Sequence, residues 1–117
     1  MISADEQGAL NVPLHNATDR ERMTHAAFVE KLAQAAPALD ITGCKPTPLV
    51  YRINLNGTFQ VKNDDYIPHA LRYLTFQIQI PAQATTTVKT SQLFKTAGDY
   101  GYGCDNPFMK MGVFMVR

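Results

Sequence analysis

Nowhere does the chain string together the roughly 18 apolar residues that a membrane-spanning helix requires, and its opening, MISADEQGALNV, lacks a basic stretch followed by an apolar one. A chain without that layout is expected to be soluble, made in the cytoplasm without a signal peptide, and found either there or in a virion. An excess of one charge is missing too. Eleven basic and 10 acidic side chains leave +1, which excludes an acidic tail and a strongly basic nucleic-acid binder. The sequence has two cysteines, three histidines, no internal repeat, no linker and no low-complexity run. At 117 residues it has room for one core and is too short for two.

What charge there is lies unevenly. Residues 1–40 carry three basic side chains (Arg20, Arg22, Lys31) against six acidic ones, a balance of −3, and residues 41–117 carry eight against four, a balance of +4. Such a dipole can steer a partner or pair within the molecule.

The first seventeen residues show no sustained period, and Gly8 and Pro13 oppose a long helix. They read as an extended arm with a short strand around Ala9–Val12, followed by a single domain over residues 18–117. Chain ends fray unless held, so the arm is expected to rest on its own domain or on a neighbouring copy through Ile2, Leu10, Val12 and Leu14.

"TDRE" is a helix start. The Thr18 hydroxyl can accept from the amide of Glu21 while the Glu21 carboxylate reaches back to the amide of Thr18. His25, Phe28, Val29, Leu32 and Ala36 then follow the spacing of one buried stripe, and Pro37 disfavours helix at Ala36, so the helix is expected over about 19–35.

From Leu49 the period becomes two. Leu49, Tyr51, Ile53 and Leu55 alternate with Val50, Arg52 and Asn54, and Phe59 and Val61 continue beyond Asn56-Gly57. A hairpin with the three-residue loop 55–57 would set Ile53 against Phe59 and Tyr51 against Val61, keeping polar and apolar faces apart. LRYLTFQIQIP reads as one strand with Leu74, Phe76, Ile78 and Ile80 inward. ATTTVKTSQLF, with Lys89 in it, suits a guarded edge strand. The last strand is apolar on both faces: Met109, Met111, Val113 and Met115 on one, Phe108, Phe114 and Val116 on the other. It must be central in a covered sheet or meet another subunit. The fold class is therefore α+β, a mainly antiparallel small sandwich or barrel with one N-terminal helix.

The stretch GDYGYGCDNPF carries the pattern G-x-x-G-x-G, but Pro107 and a period-two strand follow it where a phosphate cradle needs a helix. Gly98, Gly101 and Gly103 then read as an irregular loop, with Tyr100 and Tyr102 covering the core end or displayed to a partner. Cys44 and Cys104 are 60 apart. A disulfide between them would contribute roughly 4 kcal/mol by loop entropy, yet an unexported chain favours two buried free thiols. Two distant cysteines and scattered histidines have no metal-ligand spacing, and Asp64-Asp65 reads as a turn. Sequence alone thus indicates no catalytic, cofactor-binding or metal-binding set.

The expectation that follows is a non-enzymatic structural protein of a homo-oligomeric or multi-subunit assembly, such as a virus or phage capsid decoration or minor coat protein. Its contacts would be Ile2, Leu10, Val12, Leu14, Tyr100, Tyr102, Met109 and Met111, because thioethers and tyrosines adapt to facing surfaces. The alternative is a single-stranded nucleic-acid-binding barrel using Tyr51, Tyr73, Arg52, Arg72, Lys62 and Lys89. A third is a small enzyme pairing a cysteine with His25 or His69.

Overall fold

The computed structural model describes residues 8–10, 17–73, 76–106 and 109–117. Ile2, Val12, Leu14, Leu74 and Phe108 lie outside the described residues. Residues 8–10 are helical, where a strand around Ala9 was expected, and Ala9 and Leu10 are buried.

Helix α1 spans Asp19–Leu32 and starts with the reciprocal cap: Glu21 donates its amide to Thr18 Oγ1 at 3.2 Å, and Thr18 donates its amide to Glu21 Oε1 at 3.2 Å. It stops short of the expected Ala35. Ala33 is extended, and β1 (Ala33–Gln34) pairs in parallel with β4 (Val50–Ile53). A tertiary strand pairing outcompetes the last helical turn that local propensity would allow.

Among the described residues, ten strands form two sheets. The remaining strands are β2 (Leu39–Thr42), β3 (Lys45–Thr47), β5 (Thr58–Asn63), β6 (His69–Tyr73), β7 (Phe76–Ile80), β8 (Thr85–Lys89), β9 (Gly98–Cys104) and β10 (Lys110–Val116). A short helix α2, Thr90–Leu93, follows β8, so α1 is not the single helix of the expectation. One sheet has the order β1-β4-β10-β9-β6-β7 and the other β3-β2-β5-β8. The molecule is a β-sandwich. β10 runs parallel to β4 and β2 parallel to β5, alongside antiparallel pairs such as β9–β10 and β6–β7.

The aromatic core lies between the sheets. Phe114 stacks on Tyr102 with ring centres 4.5 Å apart, and touches Phe59 at 5.3 Å and Phe94 at 5.7 Å. A second cluster lies on the other face of the larger sheet, where Val50, Val113 and Met115 pack on Val29 of α1 and on Ala9 and Leu10. β10 is thus the central, doubly covered strand that its two apolar faces require. The chain covers both of those faces itself.

Several local expectations change. β4 and β5 fall in different sheets, so the 55–57 segment joins the layers and makes no hairpin. The pairing edge of β4 is taken by the chain end: Leu55 donates to the Arg117 carbonyl at 2.9 Å, and Arg117 to the Ile53 carbonyl at 3.0 Å. Tyr51 and Phe59 still meet, edge to face across the core at 6.2 Å. The long alternating run is two strands, β6 and β7, with Tyr73 opposite Phe76. β8 lies at an edge, as its lysine and threonines indicate.

The glycine-rich stretch is strand β9 rather than an irregular loop. Gly103 of β9 and Gly112 of the neighbouring β10 serve close approach. A Cβ on Gly103 would run into the backbone oxygens of Asn106 and Met109, and one on Gly112 would strike the Tyr102 ring.

Candidate functional site

Four segments converge at one end of the sandwich. The first is the tight turn between β2 and β3, where Thr42 faces Lys45 and the two central residues, Gly43 (φ 58°) and Cys44 (φ 60°), are left-handed. That is a two-residue primed turn, which matches strand twist at the cost of placing a side-chain-bearing residue at positive φ. The second is the turn between β5 and β6. Buried Asn63 organises it by donating Nδ2 to the carbonyls of Ile67 (2.9 Å) and Ile80 (3.1 Å) and accepting the Asp65 amide at Oδ1 (2.9 Å). The third is His69, the first residue of β6. The fourth is the end of β9, where Cys104 is followed by Asp105, itself at φ 64°.

Cys44 and Cys104 form a disulfide, with Cα atoms 5.5 Å apart. The expectation of two free thiols is therefore corrected. The sandwich brings the ends of β2 and β9 within bridging distance, a proximity that compartment reasoning from the sequence could not anticipate.

His69 is buried against this bridge. Its Nδ1 lies 3.6 Å from Cys44 Sγ and donates to Asp105 Oδ2 at 2.7 Å, and its Nε2 donates to Asp65 Oδ2 at 2.7 Å. Both carboxylates are held by main-chain amides as well: Asp65 Oδ1 accepts from Gly43 at 2.8 Å and Asp105 Oδ1 from Ala70 at 2.8 Å. Burial alone would lower the His69 pKa, but the hydrogen bonds and charges of Asp105 and Asp65 outweigh it and raise the pKa above its ordinary value. Asp65 is lowered, first by the Gly43 amide and then by His69. For Asp105, burial works upward, and the Ala70 amide and His69 overcome it to bring the pKa down. The arrangement favours an imidazolium between two carboxylates.

Cys44, His69, Cys104 and Asp105 each offer one ligand atom, and these four atoms lie within 4.8 Å of one another. Sequence spacing gave no hint of this. The residues come from turns and strand ends far apart in the chain, and Asp65, read only as a turn residue, supplies the second clamp on His69.

The residues singled out from sequence scatter. Tyr102 is fully buried in the core, so it cannot serve as a partner contact, and Leu10 is buried beneath α1. Tyr100 is half-buried and donates its hydroxyl to the Thr96 carbonyl at 2.8 Å. Met111 is half-buried against the core, while Met109 is 62% exposed. His25 lies on α1 and donates Nε2 to the Ala9 carbonyl at 2.8 Å. The pocket beside it, about 340 Å³ lined by residues including Arg20, Glu21, Thr24 and Phe28, contains no cysteine. His69 does adjoin Cys44, but the disulfide leaves no thiol for Cys–His chemistry. Tyr51, offered for base stacking, is buried and donates to the Ala36 carbonyl at 3.0 Å. The open two-sheet architecture is also not the closed barrel of that alternative.

No protein family and no curated protein matches the sequence. Solved structures do match the fold. The Cu-containing nitrite reductase (NirK) from Thermus scotoductus SA-01 aligns with a TM-score of 0.57 at 16% identity over 75% of this chain, which spans 28% of that protein. A reduced amicyanin variant aligns with a TM-score of 0.54 at 21% identity, over 70% of this chain and 82% of amicyanin. A reduced Cu(I) form of another variant gives 0.53 at 20% identity, over 76% and 89%. The chain has a cupredoxin-like fold. These likenesses overturn the expectation of a capsid decoration or coat protein, and nothing in them supports a homo-oligomeric assembly. The physical basis of that expectation was apolar surface left over on β10, and α1 and the second sheet cover that surface. No helix among the described residues is long and apolar enough to cross a membrane.

Copper in the names of these neighbours invites a test of the residues present. A blue-copper centre takes two histidines and one cysteine thiolate, with a distant methionine. Among the described residues the cluster has a single histidine, His69, and Cys104 is committed to a disulfide. The described residues do not fit that ligand set.

Proposed function

We propose that the chain is a redox-gated metal-binding domain: its dithiol form holds one thiophilic d10 ion, Zn(II) or Cu(I), through Cys44 Sγ, Cys104 Sγ, His69 Nδ1 and Asp105 Oδ2. The observation that carries this is the approach of one ligand atom from each of those four residues to within 4.8 Å of the others. Two sulfurs, one imidazole and one carboxylate are the donor types and the number that a closed tetrahedral site uses. A d10 ion has no geometric preference of its own, so a site assembled from turns and strand ends can accommodate it.

The disulfide form is closed to metal. Both sulfurs are bonded to each other, and both ring nitrogens of His69 carry protons given to carboxylates. Opening takes two electrons and two protons: a dithiol reductant is oxidised to its disulfide while the Cys44–Cys104 bond becomes two thiols. Binding then releases the two thiol protons and the Nδ1 proton, because ligands must be deprotonated. Solved structures of like fold include a Cu-containing nitrite reductase and a Cu(I) form of amicyanin, which supports metal binding by a sandwich of this kind, with a different donor set here.

A second reading has its own observation. The formed disulfide and the Asp65–His69–Asp105 triad are fully self-satisfied, so the same cluster can act as a covalent and ionic lock in place of a metal. Cobalt titration decides between them. Reduced protein should take up one Co(II) per chain with thiolate charge-transfer absorption, displaced by Zn(II) or by Cu(I), and oxidised protein should take up none. Absence of uptake by the reduced protein rejects the metal reading in favour of the lock.

A further inference from the structure

The two carboxylates on His69 are not equivalent. Asp105 touches the ring on the side of the sulfurs, its Oδ2 lying 3.8 Å from Cys44 Sγ. Asp65 touches the opposite nitrogen and also grips the turn that carries Cys44. One of its oxygens takes the Gly43 amide at 2.8 Å and the other takes His69 Nε2 at 2.7 Å. Its own amide is fixed by Asn63 Oδ1, inside the buried anchor of the 63–69 turn. A single carboxylate thereby ties the backbone beside one sulfur ligand to the ring of the nitrogen ligand.

We infer that Asp65 is the positioning residue of this centre: it keeps the His69 proton on Nε2, so that Nδ1 is the nitrogen left for the sulfurs and Asp105, and it holds Cys44 in register with that ring. The affinity arm of the test rests on the metal reading above; the tautomer arm does not.

Exposure decides which carboxylate keeps the proton once the imidazole is neutral. The Asp65 side chain is 20% exposed and the Asp105 side chain 52%. A hydrogen bond to the drier carboxylate is less weakened by water, so the proton stays on the Asp65 side. With a proton on Nε2, Nδ1 has its lone pair free on the side where both sulfurs lie. Carboxylate, imidazole and metal in a row is a general way of fixing ligand tautomer and orientation, and loss of the outer carboxylate lowers metal affinity about 10–100-fold. Asp65→Asn is the informative change because it is nearly isosteric. Its remaining oxygen can still accept from Gly43, while its amide faces Nε2 as a donor and drives the proton to Nδ1.

The experiment uses the reduced, metal-free full chain with ¹⁵N-labelled histidine, at a pH where the ring is neutral. Long-range proton–nitrogen correlation should show His69 as the Nε2–H tautomer in the unaltered protein and in Asp105→Asn, and as the Nδ1–H tautomer in Asp65→Asn. Co(II) affinity should fall about 10–100-fold in Asp65→Asn. An Nδ1–H tautomer in the unaltered protein, or an unchanged tautomer in Asp65→Asn with its native amide dispersion intact, overturns the assignment. If the unaltered reduced protein takes up no Co(II), the metal reading fails, and the tautomer result alone decides the role of Asp65. If metal binds but Asp65→Asn matches the unaltered affinity, the positioning role fails while the site stands.

Discussion

Cys44 and Cys104 are 60 positions apart in the chain and joined at one end of the sandwich, with His69 buried against the bridge. The bond links the turn of the smaller sheet to the end of a central strand of the larger one, so it fastens the two layers where the charged triad sits.

Reducing that bond, or replacing both cysteines with serine, should lower stability by about 4 kcal/mol from loop entropy alone. Urea unfolding with and without reductant, in the absence of metal, measures it. An unchanged midpoint would show that the layers hold together without the link.

The triad gives the oxidised protein a stability maximum in weakly acidic solution. The raised His69 pKa contributes stability that is complete below 6.5 and lost as the pH rises through its higher folded value. The lowered Asp65 and Asp105 pKa values contribute stability that is complete above 3.8 and lost as the pH falls through their lower folded values. Urea midpoints should therefore peak between 3.8 and 6.5, and His69→Gln should flatten the alkaline side. A midpoint that keeps rising above neutrality contradicts the charge state assigned to His69.

Tyr102 offers a stabilising substitution. Its hydroxyl is buried with no hydrogen-bond partner among the described residues, and burial pushes its pKa well up. An unsatisfied buried hydroxyl costs about 1–3 kcal/mol. Tyr102→Phe keeps the stack on Phe114 and should raise stability by about 1 kcal/mol, read as a higher melting midpoint. A drop would reveal a partner for the hydroxyl.

At the start of α1, Thr18→Ala removes the side chain that accepts the Glu21 amide. The loss should be about 1 kcal/mol, measured by urea unfolding, and Thr18→Ser should restore most of it. Equal stability of Thr18→Ala and the unaltered protein would mean that the cap adds nothing to the packing of Val29 and Phe28 beneath it.

Some of this architecture was written locally. Thr18 and Glu21 start a helix wherever they stand three apart before an apolar stripe, because the reciprocal bonds involve neighbours only. The two apolar faces of β10 demanded cover on both sides, and the lysine and threonines of β8 marked an edge. Asn56-Gly57, by contrast, looked like a hairpin, since pairing partners are chosen by the whole sheet. The parallel partner β10 claimed the edge of β4 and sent β5 into the other layer.

The residues by themselves determined which segments alternate and where the main helix begins, since each of these depends on side chains a few positions apart. Only the tertiary structure decided that Cys44, Asp65, His69 and Cys104 meet. Their approach depends on strand order and turn placement in two layers, and contacts between residues tens of positions apart leave no period or spacing in the chain to be read.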